Sequence, residues 1–418
     1  MKMSKIKVAV VGVGNCFSSL YQGVGYYSNR PDEVISGIAH VDIGGYKATD
    51  LEFVLAIDVD HRKVGQSLSD AIFAEPNVAR VFHTEPAPGA NPIVKMGARL
   101  DGVSTFMETE PASRGFRPVP TDEPTEAAKA RLVEHLRSSG ADVLLNYLPV
   151  GSNQATEFYA ECALEAGVSF INNIPVLNLN HPDWEDRFID AGIPYIGSDI
   201  KSQFGASILS QMLQELAFDR GMEVDFHQQL NVGGNTDFNN MMVQSRLLDK
   251  KVSKENVIRA QNDLRDIPVN EDALFAGPST YIPYLKDNKV AYFNLRLRGF
   301  GGAPVDVDVK LSVQDSENSA GVVIDAIRFI KVARELGIRG CLRGPSAFTQ
   351  KSPPKQLTME EAKYECDALA NRKLTPITKR QLTNRSAKEF ARQELAEGGM
   401  DYLRVLDKKR QSNAERGI

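Results

Sequence analysis

A chain of 418 residues with 42% apolar and 25% charged content is too long for one ordinary domain, and it is apolar enough to bury large cores. Its 49 basic and 54 acidic residues leave a slight negative charge, which excludes the basic footprint of a nucleic-acid binder. No stretch approaches the roughly 20 apolar residues of a membrane span, and the basic start lacks the long apolar core of a secretory signal. The four cysteines (Cys16, Cys162, Cys341, Cys366) are far apart, so neither a disulfide framework nor a thiolate zinc site is expected and a reducing cytoplasm fits best.

The first predicted element is a valine-rich strand over 6–11, suited to burial on both faces. A glycine turn at 12–14 leads into a helix spanning 18–25, and a second strand over 53–57 ends in Asp58. Residues 84–124, rich in Pro, Gly, Thr and Glu, read as an elaborated loop. The pattern then predicts helix over 125–138, strand over 142–147, helix over 154–166 closed by Gly167, and strand over 168–172. A short strand at 193–196 and a helix over 202–220, closed by Gly221, complete the series. Repeated strand–helix units of this kind predict an α/β fold with a doubly wound parallel sheet. Beyond residue 222, half-exposed strands over 290–298 and 305–313 predict a second α+β domain with a one-sided mixed sheet. A helical period over 320–336 is expected to pack back on the first domain. The expected organisation is 1–221 for a Rossmann-type doubly wound domain, 222–316 for the α+β domain, 317–357 for the return segment and 358–418 for a helical extension.

Gly12 and Gly14, between strand and helix, match a dinucleotide fingerprint: one makes the tight turn and the other lets backbone approach a pyrophosphate at the helix N-terminus. The usual third glycine is replaced by Phe17. Asp58 stands where a carboxylate accepts ribose hydroxyls, which favours NAD over a 2′-phosphorylated cofactor. Cys16 reads as a small packing residue beside the pyrophosphate.

Several segments occur in order. They start with Val10-Val11-Gly12-Val13-Gly14-Asn15-Cys16, Leu68-Ser69-Asp70-Ala71-Ile72-Phe73 and Leu148-Pro149-Val150-Gly151-Ser152. Gly197-Ser198-Asp199-Ile200-Lys201-Ser202-Gln203 and Asn231-Val232-Gly233-Gly234-Asn235-Thr236-Asp237 follow. The last are Asp315-Ser316-Glu317-Asn318-Ser319-Ala320-Gly321 and Lys351-Ser352-Pro353-Pro354. Together they resemble the bacterial and archaeal branch of the myo-inositol-1-phosphate synthase family, over about residues 6–357. The resemblance implies that NAD oxidises C5 of glucose 6-phosphate, that the enolate formed at C6 closes on the C1 aldehyde, and that hydride returns, giving 1D-myo-inositol 3-phosphate. It also implies an NAD-binding role for 1–221, a catalytic and oligomerisation role for 222–316, and a homotetramer, in keeping with the apolar surface that a one-sided sheet would expose.

Carried over residue by residue, the resemblance implies catalytic roles for Lys250, Lys254, Lys289, Lys351, Asp315 and Asp237. It implies cofactor contacts at Gly12, Gly14, Asn15, Cys16, Asp58, Pro149, Val150, Ser152, Asp199 and Lys201, and a phosphate grip at Ser202, Gln203 and Lys254. The residues themselves support part of this. Lys250 and Lys254 share one face if their segment is helical, where each lowers the other's proton affinity. Ser202 and Gln203 would begin a helix whose N–H groups suit an anion. The metal is unknown: no histidine pair has ligand spacing, while a divalent or monovalent cation on Asp199, Ser319 and phosphate oxygens stays open. A dehydrogenase of the homoserine-dehydrogenase type would explain the glycines and Asp58 but not the four lysines. A sister cyclase for another phosphorylated sugar also stays open.

Overall fold

A computed structural model describes residues 4–30, 36–268 and 270–373. The chain begins with β1 (Ile6–Val11) and α1 (Asn15–Ser28). Next come β2 (Leu51–Asp58), α2 (Leu68–Ala71), β3 (Lys95–Met96), α3 (Thr105–Thr109) and α4 (Thr125–Ser139). Then β4 (Val143–Asn146), α5 (Asn153–Ala166), β5 (Ser169–Asn172), α6 (Pro182–Asp190), β6 (Pro194–Ile196) and α7 (Ala206–Asp219) follow. With β11 (Gly340–Cys341) these strands form one parallel sheet, in the order β11-β6-β5-β4-β1-β2-β3. From neighbouring β1 and β4 the chain winds outward in opposite directions, so their C-terminal ends open the crevice in which such sheets hold ligands.

A second, four-stranded sheet has the order β10-β9-β7-β8. It comprises β7 (Glu223–Gly233), β8 (Leu274–Tyr281), β9 (Asn288–Arg298) and β10 (Pro304–Gln314). Only the β7–β8 pair is parallel. α8 (Thr236–Asn240) and α9 (Gln244–Asp263) lie between β7 and β8 in the chain. Phe293, Leu295 and Leu297 pack inward against Ala206, Leu209 and Leu213 of α7. The opposite face is charged rather than apolar, with Arg296 on Asp306 at 2.9 Å and Arg298 on Asp225 at 2.8 Å. Exposed apolar side chains include Tyr292 on that face, Val305 at the start of β10, and Met212 and Leu216 on α7.

α10 (Asp315–Glu335) leaves the second sheet and returns to the first. Its Val323, Ile324, Ile327, Phe329 and Ile330 are buried among Val8, Val10, Leu20 and Phe53, while Asp325 and Arg328, buried in the same helix, pair with one another. After β11 and α11 (Arg343–Thr349), α12 (Met359–Ala370) begins with a capping box made by Thr358 and Glu361. The rest of the expected extension, 374–418, lies outside the described residues.

Three expectations change, and several elements were not foreseen. The helix predicted over 202–220 begins at Ala206, with Gly205 as its cap. The helix predicted from 320 begins five residues earlier, at Asp315. The loop at 84–124 contains β3 and α3, and α6 was not foreseen. Nor were β7 and β8. The buried row of β7 is His227, Gln229 and Asn231, so its alternation is invisible to a hydropathy reading. β8 contains Gly277-Pro278, which reads as a turn but is tolerated on an edge strand.

Candidate active site

One cleft of about 210 Å³ runs from the glycine turn to the lysine-bearing elements of the second sheet. Gly12 has φ +92°, and a Cβ there would lie 2.5 Å from the Tyr147 carbonyl oxygen, so β1 can turn this close to β4 only with glycine. Gly14 caps α1 without a side-chain bond, and a Cβ on it would meet no atom within 4 Å. The first turn of α1 therefore faces open space beside its own N–H groups. Asp58 Oδ2 accepts from the Val13 N–H at 2.8 Å, and Oδ1 accepts from the N–H groups of Val59 and Asp60 at 2.7 and 2.9 Å. Lys63 holds the other side of the turn, donating to the Val13 carbonyl at 2.7 Å. These features fit a dinucleotide: a helix start for the pyrophosphate and an oriented carboxylate for the ribose.

Asn15 braces the turn, accepting from the N–H groups of Val78 and Ala79 and donating to Thr236 at 3.0 Å. Phe17 takes the place of the third glycine because this helix face packs into the core, with its ring edge-on to Phe53 at 5.2 Å. The four cysteines are free. Burial, then the charges of Asp315, Asp287 and Asp237, push the Cys16 thiol up to about 12, which keeps it protonated and non-nucleophilic.

All six expected catalytic side chains line this cleft: Lys250, Lys254, Lys289, Lys351, Asp315 and Asp237. They come from five different places. α9 supplies Lys250 and Lys254 at i,i+4, β9 supplies Lys289, α10 begins with Asp315, α8 carries Asp237, and Lys351 follows α11. Beneath them sits Asp199, fully buried at φ +65°. It takes Lys250 at 3.0 Å, Lys351 at 2.9 Å and the Ser253 hydroxyl at 2.6 Å. Lys289 pairs with Asp315.

The environments separate these groups. Burial opposes ionisation of Asp199, but Lys250 and Lys351 outweigh it and hold the carboxyl well below its usual range. Burial also works against charge on Lys250, yet Asp199 and Asp237 overcome it and raise its proton affinity. Lys351 goes the other way: burial, only partly offset by Asp199 and reinforced by Lys250, brings it down to about 8. Lys254 is lowered most plainly, by burial and then by Lys289, Lys250 and Lys351, and no carboxylate pairs with it among the described residues. Burial raises Asp237 despite Lys250. Asp315 is lowered because Lys289 outweighs burial.

Of the other expected residues, Gly12, Gly14, Asn15, Cys16, Asp58, Pro149, Val150 and Ser202 line the cleft. Asp199, Lys201, Ser152 and Gln203 do not. Lys201 is turned away and donates to the Ala347 carbonyl at 2.7 Å. Ser152 donates to the Pro149 carbonyl, which fixes the turn after β4. Gln203 lies on Asn318, its N–H donating to that residue's carbonyl at 2.6 Å. Because the helix starts late, Ala206 and Ser207 are the helix-terminal residues that face the cleft. Asp199 with Ser319 does not fit a cation, since its oxygens already meet two ammonium groups and a hydroxyl. Among the described residues no cluster of three His, Cys, Asp or Glu side chains has the form of a metal site.

The sequence reading missed Lys63, Ser207 and Asp287. Asp287 is buried behind Asp315, where it accepts from Asn235 at 3.1 Å and from the Ser316 hydroxyl at 2.8 Å. Burial, then Asp315, pushes it up to about 6. Its position two residues before Lys289 was the only available signal.

A family model described as myo-inositol-1-phosphate synthase matches residues 205–316. An inositol-3-phosphate synthase of Mycolicibacterium smegmatis is 43% identical over 365 residues, covering 87% of this chain and 97% of that one. One from Corynebacterium glutamicum is 42% identical over 373 residues, with 88% and 99% covered. Among solved structures, Ari2 matches with a TM-score of 0.68 at 35% identity, covering 88% of this chain and 99% of that chain. The inositol-3-phosphate synthase of Caenorhabditis elegans matches with a TM-score of 0.67 at 16% identity, covering 88% and 86%, a likeness of fold.

Proposed function

The chain belongs to the myo-inositol-1-phosphate synthase family, and we propose that it cyclises D-glucose 6-phosphate to 1D-myo-inositol 3-phosphate with NAD recycled within each turnover. The observation that carries this reading is the convergence of four lysines and two carboxylates on one cleft that begins at a dinucleotide-type glycine turn. An ordinary dehydrogenase has no use for so many cations around its substrate, whereas an enolisation followed by an aldol closure develops oxyanions at successive positions.

Gly12, Gly14 and the first turn of α1 hold the pyrophosphate, and Asp58 accepts the ribose hydroxyls. Bound there, NAD supplies the hydride acceptor for C5 and the hydride donor for the final reduction. Lys254, Ser202, Ser207 and the N-terminal N–H groups of α7 hold the substrate phosphate. Lys254 has no carboxylate partner among the described residues, and an arriving dianion would raise its proton affinity again. Lys250, kept charged by Asp199 and Asp237, stabilises the enolate oxygen. Lys351 and Asp237 are displaced toward neutrality from opposite sides, so they take and return the protons at the C5 hydroxyl and at C6. The Lys289–Asp315 pair delivers a proton to the C1 oxygen as the ring closes.

We further propose a cytoplasmic homotetramer. No helix among the described residues is long and apolar enough to cross a membrane. The exposed Val305 on the open edge strand β10, with Met212 and Leu216 exposed on α7, supports self-association. The test of function is incubation of the protein with carbon-labelled glucose 6-phosphate and a trace of NAD. An inositol phosphate formed over many turnovers, without NADH absorbance, is expected; stoichiometric NADH with no carbocycle would sink the reading.

A further inference from the structure

We propose that Arg246 is a positioning residue that couples cofactor binding to the placement of Lys250 and Lys254; the proposal rests on the NAD-dependent reading above. Arg246, Lys250 and Lys254 recur every four residues along α9 and so share one face. The arginine is 8% exposed and stands nearer the cofactor end of the cleft than either lysine, reaching out of its own domain. One guanidinium arm donates to the Val150 carbonyl at 2.7 Å, and the other donates to the Asp101 carbonyl at 2.5 Å.

Both acceptors belong to the walls of the dinucleotide crevice. Val150 lines the cleft after β4, and Leu100, Gly102 and Val103 line it around Asp101. Asn240, from α8, also donates to Val150 at 2.9 Å. The Asp101 carboxylate in turn accepts from the N–H groups of Gln154 and Ala155 at 2.8 and 2.9 Å, which fixes it to the start of α5. Gly151 completes the joint. A Cβ at 151 would lie 2.6 Å from Arg246 Cγ, so the arginine stem crosses the turn where only glycine leaves room.

Two crevice walls and the lysine helix therefore meet on one planar, two-armed donor. A dinucleotide that settles the Val150 and Asp101 segments also settles Arg246, and with it the register of Lys250 and Lys254. A lysine at this position keeps the charge but offers one point donor in place of two diverging arms. A residue that served only to hold the fold would lower the melting temperature without altering how the two ligands influence one another.

The experiment measures NADH binding by calorimetry, with and without saturating glucose 6-phosphate; this pair cannot turn over, because the first step requires the oxidised cofactor. For the wild type, the sugar phosphate should tighten NADH about fivefold or more. In R246Q the coupling should fall below about twofold while NADH affinity alone stays within about threefold, and kcat should fall by a larger factor than KM rises. R246K should lose the coupling as well, and it carries the comparison should R246Q fail to fold. R246Q or R246K with wild-type coupling, or a wild type that binds NADH without any coupling, overturns the proposal alone. A wild type that binds no NADH overturns the cofactor reading and the proposal together.

Discussion

Lys250 and Lys351 share one oxygen of Asp199, at 3.0 and 2.9 Å, yet they leave the encounter with opposite proton affinities. Both are opposed by burial. Lys250 also faces Asp237 and Asp315 and ends raised, while Lys351 faces Lys250 and Lys289 and ends near 8. Asp199→Asn should therefore act on pH as well as on rate. The acid limb of kcat/KM reports the free enzyme, and the role proposed for Lys351 requires its neutral form. Removing the carboxylate removes what holds the Lys351 proton, so that limb should move to lower pH. Loss of charged hydrogen bonds worth about 1.5–3 kcal/mol should lower kcat roughly 10- to 100-fold. A pH profile of D199N with its limb unmoved, or moved to higher pH, contradicts the assignment. These lysines were legible only through the ordered motifs, since Lys250-Lys251 alone reads as a solvated charge run. Asp199 was assigned to the cofactor because a motif conveys proximity but not the direction of a side chain. In the structure its oxygens point at ammonium groups below the cleft surface.

At the scale of elements, β1, β2, α4 and α5 were legible to within a residue or two, because burial on both sheet faces writes unbroken apolar runs and helices write their period. β7 was not, since His227, Gln229 and Asn231 occupy its buried row and are met by polar groups such as Ser210 and Gln214 of α7. The late start of α7 was missed because Ser202 resembles a cap, whereas Gly205 holds that position. The β1–α1 turn separates two roles for glycine that a motif prints identically. Gly12→Ala would drive a Cβ against the Tyr147 carbonyl oxygen, a backbone atom, at φ +92°. A strained backbone of this kind costs about 1–3 kcal/mol, so G12A should lose both melting temperature and NAD affinity. Gly14→Ala meets no protein atom within 4 Å and should melt like the wild type, yet it should bind NAD at least about tenfold more weakly by occupying the pyrophosphate's place. Calorimetry on both variants checks this. G14A with unchanged affinity would remove the pyrophosphate from that turn.

At the scale of the molecule, the two sheets divide the labour. The parallel sheet supplies the glycine turn and Asp58, and the mixed sheet with its helices supplies Lys250, Lys254 and Lys289. α10 joins them: its first residue, Asp315, stands in the cleft, and its body lies in the core of the first sheet. The two-sheet architecture was legible in the change of pattern after residue 222. The charged open face was not, because Arg296 meets Asp306 only once β9 and β10 are in register, and Arg298 meets Asp225 only once β9 pairs with β7.

The most direct test of the account follows a single hydrogen. Glucose 6-phosphate deuterated at C5 would be supplied with a trace of unlabelled NAD, and the inositol phosphate examined by NMR and mass spectrometry. If the cleft holds one cofactor through oxidation, closure and reduction, deuterium should return to the carbon that was C5, with none accumulating in the cofactor pool. Deuterium building up in free NADH, or lost from the product to solvent, would contradict a cyclisation completed within one closed cycle of hydride transfer.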